Sequence, residues 1–157
     1  MIIKLEGFSE LEATLLKLSN EISSRGENLE FRRVLTKSAE AAMEPVRLSA
    51  TSMAPYDSVS NTSGIHLRDT VRLNSRVPDG KDTQSHYVNQ SDAAIAVVSV
   101  KKSAVSLSQE FGNARTTAQP YLRVSLERNK DRVLEILKSE MTFRMQAFIN
   151  RIARRRA

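Results

Sequence analysis

The chain has 157 residues, with 24 Lys and Arg against 18 Asp and Glu, no Cys and two His. This length favours one domain, and the lack of Cys excludes disulfides, Fe–S clusters, thiolate metal sites and a cysteine nucleophile. No apolar run is long enough to cross a bilayer, and the first residues lack the basic and apolar regions of a signal peptide, so we expect neither membrane insertion nor secretion.

The net charge of +6 is concentrated at the end of the chain. Residues 141–157 contain no acidic residue and five arginines, namely Arg144, Arg151, Arg154, Arg155 and Arg156. The rest of the chain is therefore nearly neutral. We expect a single α+β domain over residues 1–150 and a basic C-terminal tail over residues 151–157, which is either a solvated end or a contact for an anionic partner.

Two helices are predicted in the first third of the chain. Ser9 has the spacing of a capping residue with Glu12, and the helix that follows would end near Gly26, with one apolar face formed by Leu11, Leu15, Leu18 and Ile22. A second helix is predicted from near Asn28, with Phe31, Val34, Leu35, Ala42 and Val46 inward. Pro45 lies inside this pattern and predicts a kink or a restart.

The middle of the chain predicts strands separated by polar loops. Residues 65–76 alternate between apolar and polar, which favours a half-buried strand with Arg68, Arg72 and Arg76 on its polar face. The same arginines are also spaced four apart, so a helical turn at the start of this segment is the alternative. Residues 94–100 predict a buried strand, and residues 104–111 predict a third strand that reverses at 101–103 and runs antiparallel to the second.

The last third of the chain predicts one long helix. Pro120 suits its first position, and apolar residues recur at intervals of four or seven as far as Ile152. Because such a helix would be longer than a domain of this size, we expect its distal half to pack on another chain. The predicted fold is thus α+β, with a small antiparallel sheet of three to four strands packed with two N-terminal helices and one long C-terminal helix.

The residue types needed for catalysis are present but poorly arranged. There is no Walker A or G-x-G-x-x-G segment, and His86 has no metal-ligand spacing around it. His66 lies near Asp69 and Ser63, but on an alternating strand His66 and Asp69 would face opposite sides. We therefore expect no enzyme, no cofactor and no metal site.

Two ordered segments of the sequence carry recognisable motifs. One is Ala54-Pro55 followed by Thr62-Ser63-Gly64-Ile65-His66-Leu67-Arg68, and the other is Glu110-Phe111-Gly112-Asn113 followed by Ala118-Gln119-Pro120-Tyr121-Leu122-Arg123. Together with the first residues, Ile3-Lys4-Leu5-Glu6-Gly7, they resemble the neck or tail-completion (head-tail connector) proteins of long-tailed double-stranded-DNA bacteriophages. The chain departs from that family's pattern where Ser63 separates Thr62 from Gly64 and where Tyr121 replaces the usual Phe.

The resemblance implies a structural virion protein located at the neck and assembled in the host cytoplasm. Its partners would be further copies in a ring, expected to be a hexamer, and neighbouring head-completion or adaptor, tail-terminator or tail-tube proteins. Gly64 and Gly112 would permit tight turns, and Phe111 and Tyr121 would close one edge of the core. The full set of expected turn and core residues is Pro55, Gly64, Leu67, Phe111, Gly112, Pro120, Tyr121 and Leu122.

The arginines leave a second class of function open. Arg68, Arg72, Arg76 and the five arginines near the C-terminus could face DNA in a channel without reading its sequence, or an acidic partner protein. The alternative function is that of a small basic nucleic-acid-binding protein. Such a protein would need aromatic stacking residues or a recognition helix, and no aromatic residue is interleaved among these arginines.

Overall fold

A computed structural model describes residues 25–56, 65–80, 82, 88 and 93–156. In chain order the described elements are helix α1 (Arg25–Met53), a 3-10 helix (Leu67–Thr70), strand β1 (Arg72–Arg76), strand β2 (Ile95–Ser99), helix α2 (Ala104–Phe111) and helix α3 (Leu122–Arg156). The fold is α+β, and the described residues form a two-stranded antiparallel sheet rather than the expected three to four strands. None of the described helices is both long and apolar enough to cross a membrane.

Helix α1 corresponds to the second predicted helix but differs in two details. It already includes Gly26, which we expected to end the preceding helix; that earlier helix lies outside the described residues apart from its last positions. It also continues without a break through Pro45. Ala42, Val46 and Ala50 are almost fully buried along one face. Burial on both sides of Pro45 stabilises the helix there and offsets the lost hydrogen bond.

Helix α3 packs antiparallel against α1 over much of its length. Near one end the Phe31 and Phe148 rings lie 6.0 Å apart between centroids, and near the other the Ser125 hydroxyl approaches the Met53 sulfur at 3.6 Å. Met141 and Met145 are buried against Leu35 of α1. One face of the distal half of α3 is therefore covered by the chain's own first described helix, whereas Phe143 in the same half is 73% exposed. Packing of this half on another chain stays a prediction.

The buried side chains form two clusters along this helix pair. The first contains Leu35, Met141, Met145 and Phe148, with Ile152 packed against it. The second joins the helices to the sheet side and contains Ala50, Ala54, Val71 and Tyr121, with Val98 packed against it. The first cluster buries Leu, Met and Phe side chains, each of which contributes on the order of 2 kcal/mol when fully covered. The second buries Tyr121 among smaller side chains.

The sheet pairs β1 with β2 in antiparallel register, with Leu73 opposite Val98 and Asn74 opposite Val97. The Ser75 hydroxyl donates to the Thr36 carbonyl at 2.6 Å, so Ser75 faces α1. Arg72, Asn74 and Arg76 alternate with it and lie on the other face. Residues 95–99 form the predicted strand, but the strand is not buried as expected, since Val97 is 45% exposed. Residues 67–70 form a helical turn, which is the alternative for the start of the first segment.

Residues 104–111 form a helix, so the predicted third strand was wrong. Ser103 and Ser106 exchange hydrogen bonds: the Ser106 amide donates to the Ser103 hydroxyl oxygen at 3.0 Å, and the Ser103 amide donates to that of Ser106 at 2.9 Å. This reciprocal cap satisfies two amides that a helix start would otherwise leave unpaired. The alternation of apolar and polar residues matched a strand by count, but the local capping chemistry favours the helix.

Gly112 ends α2 with a backbone that other residues rarely adopt. Its φ is +76° and its ψ is 172°, and its amide donates to the Ser108 carbonyl at 2.8 Å. A Cβ at this position would lie 3.0 Å from the Ala118 amide nitrogen and 3.2 Å from the Thr116 carbonyl oxygen. Both the dihedral angles and the close approach therefore require glycine.

We expect Gly112→Val to lower the free energy of unfolding by about 2 kcal/mol, the middle of the range for a residue forced into this backbone region. Chemical denaturation measures the change. Gly80→Ala is the matched control, because a Cβ there would meet no atom within 4 Å. Equal midpoints for the two variants would contradict the strained geometry at Gly112.

Candidate functional site

Helix α2 is amphipathic in the reverse sense, with polar residues inward and apolar residues outward. Ser106 and Glu110 are 3% and 4% exposed, whereas Val105, Leu107 and Phe111 are 61%, 45% and 63% exposed. A helix of a soluble domain normally buries its apolar residues and exposes its polar ones. Leu107 and Phe111 are four residues apart and therefore lie on one side of the helix, whereas Val105 lies on another side. We call Leu107 and Phe111 the apolar surface of α2.

The buried Glu110 accounts for this orientation. Its carboxylate accepts hydrogen bonds from the backbone amides of Tyr121 at 2.9 Å, Leu122 at 3.0 Å and Arg123 at 3.1 Å. These amides begin α3, where a helix has unpaired N–H groups and a partial positive charge. Glu110 therefore caps α3 from 11 to 13 residues away in the chain.

Arg123 extends the same contact to the surface. Its Nε donates to the Glu110 carboxylate at 3.0 Å and its Nη2 donates to the Glu110 carbonyl at 2.7 Å. Its guanidinium also lies 5.0 Å from the centroid of the Phe111 ring, a cation–π distance. Arg123 thus holds Phe111 in place on the outside while Glu110 holds α3 on the inside.

These contacts set the protonation state of Glu110. Burial of the carboxyl acts to raise its pKa, but the amides of Leu122, Arg123 and Tyr121 and the Arg123 guanidinium outweigh burial and leave the pKa below its ordinary value of 4.5. Glu110 is therefore ionised at neutral pH, as its capping role requires.

The structure buries some of the expected turn and core residues and exposes others. Tyr121 is fully buried in the second cluster, with Leu67 and Leu122 packed against it, so it closes the core as expected. Phe111 does not, because it lies on the outside of α2. Pro55 follows α1 and is partly buried, and Gly64 lies outside the described residues.

Pro120 lies two residues before the start of α3 rather than at its first position, where we expected it. The Tyr121 carbonyl accepts the first helical hydrogen bond of α3, from the Ser125 amide at 3.1 Å. Proline has no amide to donate. Its place ahead of Tyr121 therefore leaves all three amides that Glu110 binds available.

The three arginines near the sheet serve local contacts. Arg76 makes a two-pronged pair with the Asp82 carboxylate at 2.6 and 2.7 Å, and this hydrogen bonding lowers the pKa of Asp82 to about 2. The Arg68 guanidinium lies 3.6 Å from the centroid of the Tyr56 ring. Arg72 donates to the Asp69 carbonyl at 2.8 Å.

The arginines near the C-terminus belong to α3, which continues through Arg156. Arg144 pairs with Glu140 at 2.8 Å, while Arg151 and Arg155 pair with Glu30 of α1 at 3.6 and 3.0 Å. Arg154 is exposed. Of the eight candidate arginines, Arg68 lies in the 3-10 helix, Arg72 and Arg76 lie in β1, and the other five lie in α3. The basic segment is therefore the end of a packed helix.

The described residues contain no group of three or more His, Asp or Glu side chains placed to hold a metal ion. Near the 3-10 helix, the Asp69 carboxylate accepts the His66 backbone amide at 3.2 Å. The opposite-face argument for these two residues was wrong, because the segment turns instead of extending. The observed Asp69 contact is a helix cap of the kind that acidic side chains often make.

A groove between α1 and α3, which sequence reasoning missed, is the second surface feature. Its volume is about 670 Å³, and we call it the α1–α3 groove. It is lined by Ala41, Glu44, Pro45, Leu48, Ser49, Ser52, Asn129, Arg132 and Ile136. Leu48 is 54% exposed, so the groove offers apolar surface to a partner.

We expect Glu110→Gln to destabilise the chain by about 1–3 kcal/mol, since the amide keeps the shape but loses the charge that pairs with the α3 amides and Arg123. Urea denaturation measures the loss. Glu127→Gln is the control, because the Glu127 side chain is 72% exposed and pairs with Lys130 on the helix surface. Similar losses in both variants would contradict the capping role.

The same residue predicts a pH dependence. A lowered carboxyl pKa in the folded state means that the stabilisation is fully present above the ordinary value of 4.5 and is lost as pH falls through the folded-state pKa. The difference in Tm between wild type and Glu110→Gln should therefore stay constant from about pH 7 to about pH 5 and shrink below that. A difference that persists unchanged at about pH 2 would contradict this assignment.

Comparisons with known proteins gave no match. No protein-family model matches the chain, and neither the search of curated proteins nor the search of solved structures found a match.

Proposed function

We propose that this chain is a structural subunit of the neck of a long-tailed double-stranded-DNA bacteriophage, where it forms a ring that joins the DNA-filled head to the tail. The observation that carries the proposal is the apolar surface of α2. It lies within the same Glu110-Phe111-Gly112 motif on which the resemblance to connector proteins depends.

Two of the three motif residues maintain the fold of the subunit, and the third is exposed, as a residue at a subunit interface would be. Glu110 caps α3 and Gly112 turns the chain, so both maintain the fold of the subunit itself. Phe111 is 63% exposed and contributes nothing to the two core clusters. Large apolar side chains grouped on a surface typically mark an interface with another protein.

A ring imposes a further requirement that supports the proposal. In a closed ring each subunit uses one surface to bind the next copy and a different surface to receive the previous one. This chain carries two such features, the apolar surface of α2 and the α1–α3 groove. A ring, expected to be a hexamer, would then present its other faces to adjoining neck and tail proteins.

The nucleic-acid-binding alternative has less support. Among the candidate arginines, Arg76, Arg144, Arg151 and Arg155 pair with carboxylates of this chain. Exposed ion pairs are weak, so such arginines still contribute positive charge. In the proposed neck they would favour non-specific contact with DNA phosphates in the channel, or contact with an acidic partner protein.

The test compares Phe111→Ser with Phe143→Ser, which removes an even more exposed aromatic from α3. We expect the wild type and Phe143→Ser to form rings in sedimentation and electron microscopy and to restore infectivity to a phage lacking its neck protein. Phe111→Ser should stay folded by circular dichroism but fail to assemble. A wild-type chain that forms no ring and does not join heads to tails would overturn the proposal.

A further inference from the structure

Helix α1 bears the sheet on one side and the α1–α3 groove on the opposite side. Both strands contact α1, and the Ser75 hydroxyl donates to the Thr36 carbonyl at 2.6 Å. Pro45, which lines the groove, follows Thr36 by nine residues. At roughly 100° per residue this spacing places Pro45 about half a turn from Thr36 around the helix axis. We call the side of the helix pair that carries the groove the open side.

The open side carries apolar residues at seven-residue intervals on both helices. On α1 these are Val34, Ala41 and Leu48, and on α3 they are Ile136 and Phe143. Residues seven apart on a helix lie on the same side to within about 20°. Leu48 is 54% exposed and Phe143 is 73% exposed, so the described residues leave much of this surface uncovered. We call these five residues the apolar strip.

The chain segment that leads into α1 has a matching pattern. Leu11, Leu15, Leu18 and Ile22 recur at intervals of four, three and four, so that two pairs of them are seven apart. This is the spacing of the core positions at which helices pack side by side in bundles and coiled coils. The predicted helix over residues 9–22 therefore has an apolar face of the kind that the apolar strip would accept.

The connection to α1 is short. Because α1 includes Gly26, a turn between the predicted helix and α1 comes before that residue. Ser24 and Glu27 have the spacing of a capping box for a helix that begins at Arg25, which limits the turn to residues 23 and 24. Two helices joined by so short a loop pack as antiparallel neighbours.

The length of the segment fits the part of the open side that holds Phe143. As a helix, residues 9–22 span about 20 Å, which is also the length of α1 from Arg25 to about Ser38. This part of α1 contacts the end of α3, where Leu35 packs with Met141 and Met145. Phe143 lies between these two methionines in the chain, so the segment reaches its level on the helix pair.

We propose that residues 9–22 form a helix that turns back at residues 23–24 and packs its apolar face on the apolar strip of its own chain, over Phe143. The chain's own N-terminal segment, rather than another chain, then covers the exposed part of the distal half of α3. This packing leaves the apolar surface of α2 and the Leu48 end of the groove free. The inference is therefore independent of the proposed ring.

The absence of cysteine from the chain allows a test by disulfide trapping within one chain. Leu15→Cys and Leu18→Cys are each combined with Ala147→Cys, because Ala147 is exposed one turn after Phe143 and its replacement leaves Phe143 intact. We expect at least one double variant to form an intrachain disulfide, seen as faster migration on a non-reducing gel. Asn20→Cys with Ala147→Cys is the control, since Asn20 is two residues from both Leu18 and Ile22 and so lies on the opposite side of the predicted helix.

Limited proteolysis tests the contact from both sides. Leu11→Ser and Phe143→Ser should each speed tryptic cleavage after Lys17 by about tenfold or more, because loss of a buried apolar side chain raises the population of the undocked segment. Leu107→Ser is the control, since it removes an exposed leucine from α2 and should leave this cleavage rate unchanged.

The outcomes separate this contact from the ring. Crosslinked dimers in place of the intrachain product would place the segment on a second copy and overturn the proposal. It is also overturned if neither leucine variant crosslinks, if Asn20→Cys crosslinks equally well, or if Phe143→Ser leaves cleavage after Lys17 unchanged. Each of these results leaves the proposed function standing, whereas a wild-type chain that forms no ring overturns the proposed function and leaves this contact standing.

Discussion

The structure depends on one carboxylate. Glu110 accepts hydrogen bonds from three backbone amides at the start of α3. Because the amides and Arg123 stabilise its charge, Glu110 can be buried despite the cost of desolvation. This burial orients α2 with its polar face inward, and that orientation exposes Phe111. Helix capping and surface chemistry thus follow from the same hydrogen bonds.

Sequence periodicity predicted the elements that bury one continuous apolar face. Helix α1, helix α3 and strand β2 were found this way, because Val46, Met141 and similar residues recur at the interval that each structure requires. Periodicity predicted a strand for residues 104–111, which was wrong because Val105 and Leu107 alternate with serines and face outward. Prediction from hydrophobic periodicity assumes that apolar residues face the core, whereas in α2 the apolar residues are exposed and Ser106 and Glu110 are buried.

The candidate site was predictable only in part. The motif around Phe111 and Gly112 marked the correct segment, and the glycine turn has the positive φ that its residue type allows. The partner of Glu110 was not predictable, since its contacts join positions 11 to 13 residues apart through a loop of unpatterned sequence. The groove was missed for a similar reason, because it arises only where α1 and α3 pack together.

The two separate core clusters have a consequence for dynamics. The first cluster joins the start of α1 to the end of α3, and the second joins the end of α1 to the start of α3 and the sheet. Between them the buried face of α1 carries Ser38, Ala42 and Val46, of which two are small. We therefore expect the end of the helix pair that holds the first cluster to open locally and exchange its amides with solvent while the Glu110 junction stays closed.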